Sequence, residues 1–394
     1  MTSIADMPII DIDTHWSEPR DLWSSRAPAK LKDRSPRIVK VGGGATGQEM
    51  GLSAQQWVVD DDVVLGPAGI SVIKKDGSKG HGIFSFATMD ESTPGAWNGP
   101  ARLEDMAKLG VHTHILYPNA VGFAGGAIMN VKDVELRNFC LTGYNDGAAE
   151  LQQESGGRLL PQALLPFWDL DLAVRELKRC RRELGLVGFT MTDSPQEWGL
   201  PTLNDPYWDP LWSATQDMDL PVAFHIGSGG MDGNFTWDGY DGTTTLAVTS
   251  LTLFMNNMRC LTNLVFSGLL DRFPKLKILS VESGIGWVPF LIEACEYQFK
   301  ENWGGSSPLK LTPREYFDRN IYTSFWFEKD NVGNTIEQVG ADNVLFETDY
   351  PHPTCLYPSV REHVAEALSG LDESVQRKVL YENAARIYDL PTPP

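Results

Sequence analysis

The stretch Leu220-Pro-Val-Ala-Phe-His-Ile-Gly227 decides how the chain is read. It is a short apolar run without polar alternation that ends in an imidazole and a glycine. Such a run is the pattern of a parallel strand covered on both faces. Working outward from Pro221 to His225, the same pattern recurs at Pro8 to Asp13, Thr113 to Tyr117, Leu160 to Leu165, Gly188 to Met191, Leu276 to Val281, Ile321 to Ser324 and Asn343 to Thr348. Helical spacing lies between several of them: Leu170, Val174 and Leu177 repeat along Leu170 to Leu184 with charges between, and Asp209 to Met218 repeats more weakly. Eight such strands alternating with helices predict an α/β fold of the (β/α)8 barrel type. A doubly wound open sheet is the alternative, but no GxGxxG follows a strand, and the Gly42 to Gly44 run lacks that spacing.

Between the first and second strands lies a stretch, residues 16–110, that is rich in Gly, Pro, Asp and Lys. Gln56 to Leu65 and Gly69 to Lys74 are expected to form a small β-excursion within it. Because the stretch follows the C-terminal end of the first strand, a single barrel domain over residues 1–394 would carry it above the active-site mouth. Trp57, Phe84, Phe86 and Trp97 favour a packed insertion, since disordered segments are poor in aromatics.

The chain has 33 Lys and Arg against 52 Asp and Glu, a net charge of −19. That balance repels phosphate backbones and anionic membrane surfaces, so neither nucleic acid nor membrane is an expected partner. No stretch approaches the ~18 apolar residues of a membrane span, and Met1 to Ile10 lacks the basic and apolar regions of a signal peptide. A cytoplasmic protein acting on a small molecule is expected. The five cysteines, Cys140, Cys180, Cys260, Cys295 and Cys355, have no metal-site spacing and read as reduced, buried thiols.

Four strand ends carry groups able to bind a metal: Asp13 and His15 on the first, His225 on the fifth, Glu282 on the sixth, and Asp349 with His352 on the eighth. Period-two alternation puts Asp11, Asp13 and His15 on one face, with Asp11 a layer below. Imidazoles beside carboxylates suit a borderline divalent cation, with Zn²⁺ expected first and Mn²⁺ or Fe²⁺ as alternatives. One ion is favoured, and two remain open because Glu282 can also bind or bridge. The pair His112 and His114 lacks a neighbouring carboxylate and reads as structural; His81 and His363 read as solvated.

At these residues the sequence resembles the amidohydrolase superfamily, in the branch of aminocarboxymuconate-semialdehyde and resorcylate decarboxylases. The matching stretches are Asp11-Ile-Asp-Thr-His-Trp-Ser-Glu-Pro19, Asn204-Asp-Pro-Tyr-Trp-Asp-Pro-Leu-Trp212, Leu220 to Gly227, Glu282-Ser-Gly-Ile-Gly-Trp287 and Phe346-Glu-Thr-Asp-Tyr-Pro-His352. The resemblance implies a barrel with a divalent ion held by Asp13, His15, His225 and Asp349, and assembly as a homodimer. Glu282 departs from it, standing where those decarboxylases carry a histidine used as acid or base.

The leading expectation is therefore metal-assisted hydrolysis of an ester, amide or thioester, with Asp349 as proton shuttle, Glu282 as the second choice and His352 orienting the leaving group or supporting Asp349. The alternative is non-oxidative decarboxylation of an aromatic or enoic acid; a barrel serving only as a binding scaffold is the non-enzymatic reading. Trp16, Trp287, Phe325, Trp326 and Phe327 near strand ends suggest a bulky apolar or aromatic substrate.

Overall fold

A computed structural model describes residues 4–40, 54–229 and 238–393; the Gly42 to Gly44 run lies outside them. Eight parallel strands close into a barrel in chain order: β1 (Ile10–Trp16), β5 (Thr113–Pro118), β6 (Leu159–Pro161), β7 (Phe189–Thr190), β8 (Pro221–His225), β9 (Lys277–Val281), β10 (Ile321–Phe325) and β11 (Val344–Phe346). Two single bridges complete the ring, Ala163 with Phe189 joining β6 to β7, and Thr14 with Tyr350 joining the chain after β11 to β1. All eight expected strands are present, and the fold is the (β/α)8 barrel.

Why the apolar runs become strands follows from their burial. Every residue of β1, β5, β8, β10 and β11 is buried, because helices cover the outside while side chains fill the inside. The helix Leu170–Arg182 buries Ala173, Leu177 and Cys180 and starts on Asp169, whose side chain accepts the Leu172 N–H. The helix Asp209–Asp217 buries Leu211 and Trp212, so the Asn204 to Trp212 stretch packs structurally. All five cysteines are free and buried.

The insertion departs from expectation in detail. Its sheet has three strands, β2 (Arg37–Lys40), β3 (Gln55–Val59) and β4 (Val63–Pro67), paired antiparallel. The Gly69 to Lys74 stretch forms only isolated bridges, Ile70 with Ser85, Ile73 with Lys79 and Lys74 with Ser92. The sheet is pinned to the barrel by Trp57, fully buried edge-on against Trp23, whose indole N–H donates to the Cys140 carbonyl at 2.7 Å. Among the described residues no helix is long and apolar enough to cross a membrane.

Buried asparagines tie helices to strands. Asn343 donates from Nδ2 to the Phe317, Asp318 and Ile321 carbonyls at 3.1, 3.1 and 2.8 Å, where the helix Pro313–Asn320 ends and β10 begins. Asn343→Ala should lower stability by about 1–3 kcal/mol in urea unfolding, and Asn343→Asp, which has no donor, at least as much. Equal stability of the aspartate variant and wild type would show that the donated bonds do not matter.

Candidate metal centre and its buried surroundings

Asp13 and His15 project from the end of β1, His225 from the end of β8, Glu282 from the residue after β9, and Asp349 and His352 from the loop after β11. Asp13, His15, His225 and Glu282 each offer an atom within 4.8 Å of the others, and so do His15, Glu282, Asp349 and His352. Nε2 of His15 lies 3.2 Å from Nε2 of His225, 3.3 Å from Oδ1 of Asp349 and 3.6 Å from Oδ1 of Asp13. Nε2 of His225 lies 2.9 Å from Oε2 of Glu282 and 3.4 Å from Oδ1 of Asp13. The structure thus brings together every residue expected at the site.

Whether this set suits a cation is decided by its unmatched atoms. Both carboxylate oxygens of Asp13, Oε2 of Glu282 and Oδ1 of Asp349 are buried without a hydrogen-bond donor. Stranding buried anionic oxygens is costly unless positive charge compensates them. The imidazoles are prepared to face such a charge. Nδ1 of His225 sits 2.8 Å from the Ile226 carbonyl, which can only accept, so Nδ1 keeps a proton and Nε2 is the nitrogen that faces the carboxylates and would bind an ion. This donor set fits a divalent metal ion.

The electrostatics agree. Burial raises the Asp13 carboxyl to about 6 against the pull of His225. Burial, then the nearby Glu282 and Asp13, pushes Asp349 well above the usual carboxylate range. Burial alone would lower His225, but the Asp13 and Glu282 carboxylates outweigh it and raise the imidazole to about 10, so without an ion a proton on Nε2 takes the place that a cation would fill. His15 and His352 stack with centroids 3.4 Å apart at 12°, and burial keeps both well below the ordinary imidazole value.

Two carboxylates stand on strained backbone. Glu282 and Asp349 take φ of 58° and 59°, the left-handed region that L residues avoid. Asp349 is held there by its N–H donating to the Asp13 carbonyl at 2.9 Å, and Glu282 by its N–H donating to Oε2 of Glu347 at 3.1 Å. Glu347 is fully buried, also receives the Ser324 hydroxyl, and is pushed up chiefly by burial and then by Asp13.

A second buried network lies behind β1. Asp11 accepts the Thr348 and Asp13 N–H groups at 3.0 and 3.2 Å and the Thr348 hydroxyl, and burial raises it to about 8. Arg102, buried at 2 % exposure, donates from Nε to Nδ1 of His114 at 3.0 Å and from Nη2 to the His15 carbonyl at 2.9 Å, and lies over the Tyr350 ring at 4.2 Å. His114 is therefore a structural partner, as expected. His363, by contrast, is buried on the helix Val360–Ala367, not solvated, because the helix turns that side inward.

The residues nearest the centre that sequence reasoning missed belong to the loop after β5. The Phe123 ring lies 4.1 Å from that of His225, 5.0 Å from His15 and 5.9 Å from His352. Asn119 accepts a hydrogen bond at Oδ1 from Nε2 of His352 at 2.7 Å. Of the aromatics expected in the pocket, Trp16 packs on Tyr144 and Phe325 on Phe346, both buried in the core, because neighbouring side chains of the barrel already fill the space around them.

Residues 10–390 match the family model described as Amidohydrolase, and the chain belongs to that family. It is 29% identical over 301 residues to a gamma-resorcylate decarboxylase of Polaromonas sp. strain JS666, covering 73% of this chain and 86% of that protein. A solved amidohydrolase from Mycobacterium avium subsp. paratuberculosis K-10 superposes with a TM-score of 0.69 at 21% identity, covering 97% and 99% of the two chains. A dihydroxybenzoic acid decarboxylase from Polaromonas sp. JS666, solved with bound manganese and the inhibitor 2-nitroresorcinol, superposes at 0.60 with 20% identity, covering 97% of each.

Glu18 anchors the loop that carries Asn119 and Phe123, accepting the Asn119 N–H at 3.0 Å and the Ala120 N–H at 3.0 and 3.1 Å, and burial raises it to about 7 from an ordinary 4.5. Between these two values the unfolded chain releases the proton that the folded chain keeps, so stability falls as pH rises. Wild-type stability relative to Glu18→Gln should therefore decline from pH 4.5 to about pH 7 and level off above it. Unfolding curves with a flat difference across that window would contradict this burial effect.

Proposed function

We propose that this protein is a metal-dependent non-oxidative decarboxylase of an aromatic carboxylic acid, with Asp13, His15, His225, Glu282 and Asp349 around one divalent ion. The observation that carries the reading is the similarity over 73% of the chain to a gamma-resorcylate decarboxylase, joined to a buried donor set of two imidazoles and three carboxylates. The hydrolysis expected from the sequence gives way to its alternative for that reason. Manganese in the decarboxylase of similar fold supports Mn²⁺ as readily as the Zn²⁺ expected first.

The chemistry needs a proton on the ring carbon that loses carbon dioxide. When bound, the ion supplies positive charge that neutralises the substrate carboxylate and an adjacent ring oxygen. Asp349, raised by burial, is suited to hold a proton at Oδ1 and deliver it, and His352 Nδ1 lies 3.2 Å from that oxygen to take part. Phe123, packed on three imidazoles, offers an aromatic face for the substrate ring and keeps water from the centre.

The insertion, residues 16–110, is proposed to cover this mouth within a single barrel domain. Its Val72 N–H donates to the Pro351 carbonyl at 3.0 Å, Tyr357 donates to the Gly77 carbonyl at 2.7 Å, and the Phe84 ring lies 6.5 Å from that of His352. These contacts, made with the loop that carries Asp349 and His352, support that reading.

Glu282 favours a second reading, hydrolysis, because a carboxylate 2.9 Å from His225 replaces the imidazole that the resemblance implies. Turnover of hydroxylated benzoic acids in D₂O, and of their esters and amides in ¹⁸O-labelled water, separates the two. Decarboxylation should release carbon dioxide and place one deuterium on the ring carbon; products carrying solvent oxygen in a new carboxyl group would support hydrolysis instead.

Metal and proton roles separate by mutation. His225→Ala should purify with its divalent ion lost and no turnover. Asp349→Asn should lower kcat by about 10²–10⁴-fold. A His225→Ala protein with full metal by elemental analysis would remove His225 from the centre.

A further inference from the structure

The loop after β5 holds a chain of hydrogen bonds whose direction is fixed at one end. The Ile70 carbonyl can only accept, so the Ser17 hydroxyl donates to it at 3.2 Å. Oγ of Ser17 is thereby left to accept, and Nδ2 of Asn119 lies 3.0 Å away as donor. That contact sets the Asn119 amide with Oδ1 facing His352, where Nε2 lies at 2.7 Å. An oxygen facing Nε2 requires the imidazole proton on Nε2. Nδ1 then carries the lone pair, 3.2 Å from Oδ1 of Asp349. Ser17, Asn119 and His352 are 2 %, 6 % and 3 % exposed, so water does not compete for these bonds.

We propose that Asn119 is a positioning residue that locks His352 in its Nε2–H tautomer, with its own amide held by Ser17 and the insertion's Ile70 carbonyl. The lock leaves Nδ1 able to accept from a proton held at Oδ1 of Asp349 and unable to donate to that oxygen. Its catalytic consequence rests on the decarboxylase reading. There Asp349 gives its proton to the ring carbon, forming the C–H bond. The C–C bond electrons return to the ring as carbon dioxide leaves, and Asp349 remains as carboxylate. Asp349 regains a proton from solvent once the product has left, and His352 keeps its proton on Nε2 throughout. The opposite tautomer would put an N–H against Oδ1, where it would compete with the proton held there. The insertion thus contributes to the tautomer lock through a backbone carbonyl.

The test uses the zinc-loaded full-length chain labelled with ¹⁵N-histidine, with the His352 signals assigned from a His352→Gln sample. Long-range ¹H–¹⁵N spectra should show the wild-type proton on Nε2. In Asn119→Ala the proton should move partly or wholly to Nδ1, with kcat on a hydroxylated benzoic acid falling about 10–100-fold and bound metal unchanged, the size of loss common for partners one bond removed from a metal site. Asn119→Asp, which still offers an acceptor, should keep the wild-type tautomer and recover kcat to within a few-fold. Ser17→Ala, a milder change should Asn119→Ala fail to fold, should show mixed tautomers. The lock is overturned by a wild-type proton on Nδ1, by an unchanged tautomer in the Asn119→Ala or Ser17→Ala protein, or by an equal kcat loss in Asn119→Ala and Asn119→Asp. The spectra need no substrate, so a protein without decarboxylase activity but with these tautomers would refute the decarboxylase reading and leave the lock standing.

Discussion

Three carboxylates share one dry space. Asp13, Glu282 and Asp349 converge with the imidazoles of His15 and His225 at the C-terminal end of the barrel, and four of their oxygens have no donor. Like charges crowded into a medium of low dielectric repel strongly. The closed ring of strands and the unusual backbone of Glu282 and Asp349 hold them together all the same. A divalent cation turns that repulsion into attraction, and the rest of the site follows from providing for it.

The surroundings divide the work. On one side Arg102 and His114 support β1 from behind, with Arg102 holding the His15 carbonyl and lying over the Tyr350 ring. On the other, Glu347 holds the Glu282 backbone from within the barrel. Both fix first contacts whose geometry must be accurate to a fraction of an ångström. The left-handed residues at two strand ends are a local cost of about 1–3 kcal/mol each, offset by the bonds that hold them.

Much of this was legible in the sequence, for a definite reason. Strands buried on both faces write themselves as apolar runs, so Pro221 to His225 and its seven counterparts could be found without partners. Period-two alternation in β1 put Asp13 and His15 on one face, where the structure has them. Contacts between distant segments left no such mark. Asn119 and His352 are 233 positions apart, and an asparagine after a strand reads as an ordinary turn. Phe123 looked like one aromatic among many, and β2 was too short and polar to stand out. Trp16 and Phe325 were placed in the pocket because they end strands, yet nearness to a strand end does not decide whether a ring faces the cavity or the layer beneath it.

The family sets the barrel, and this chain's own residues set what is particular to it. Glu282 keeps a carboxylate at the end of β9, and the insertion reaches the loop of Asp349 and His352. The most direct measurement is anomalous diffraction at the manganese edge from crystals grown with Mn²⁺. A single peak bonded to Nε2 of His15, Nε2 of His225 and carboxylate oxygens of Asp13 and Asp349, at about 2.0–2.3 Å, is the expected result. An ion bound elsewhere, with these four side chains left to one another, would contradict it.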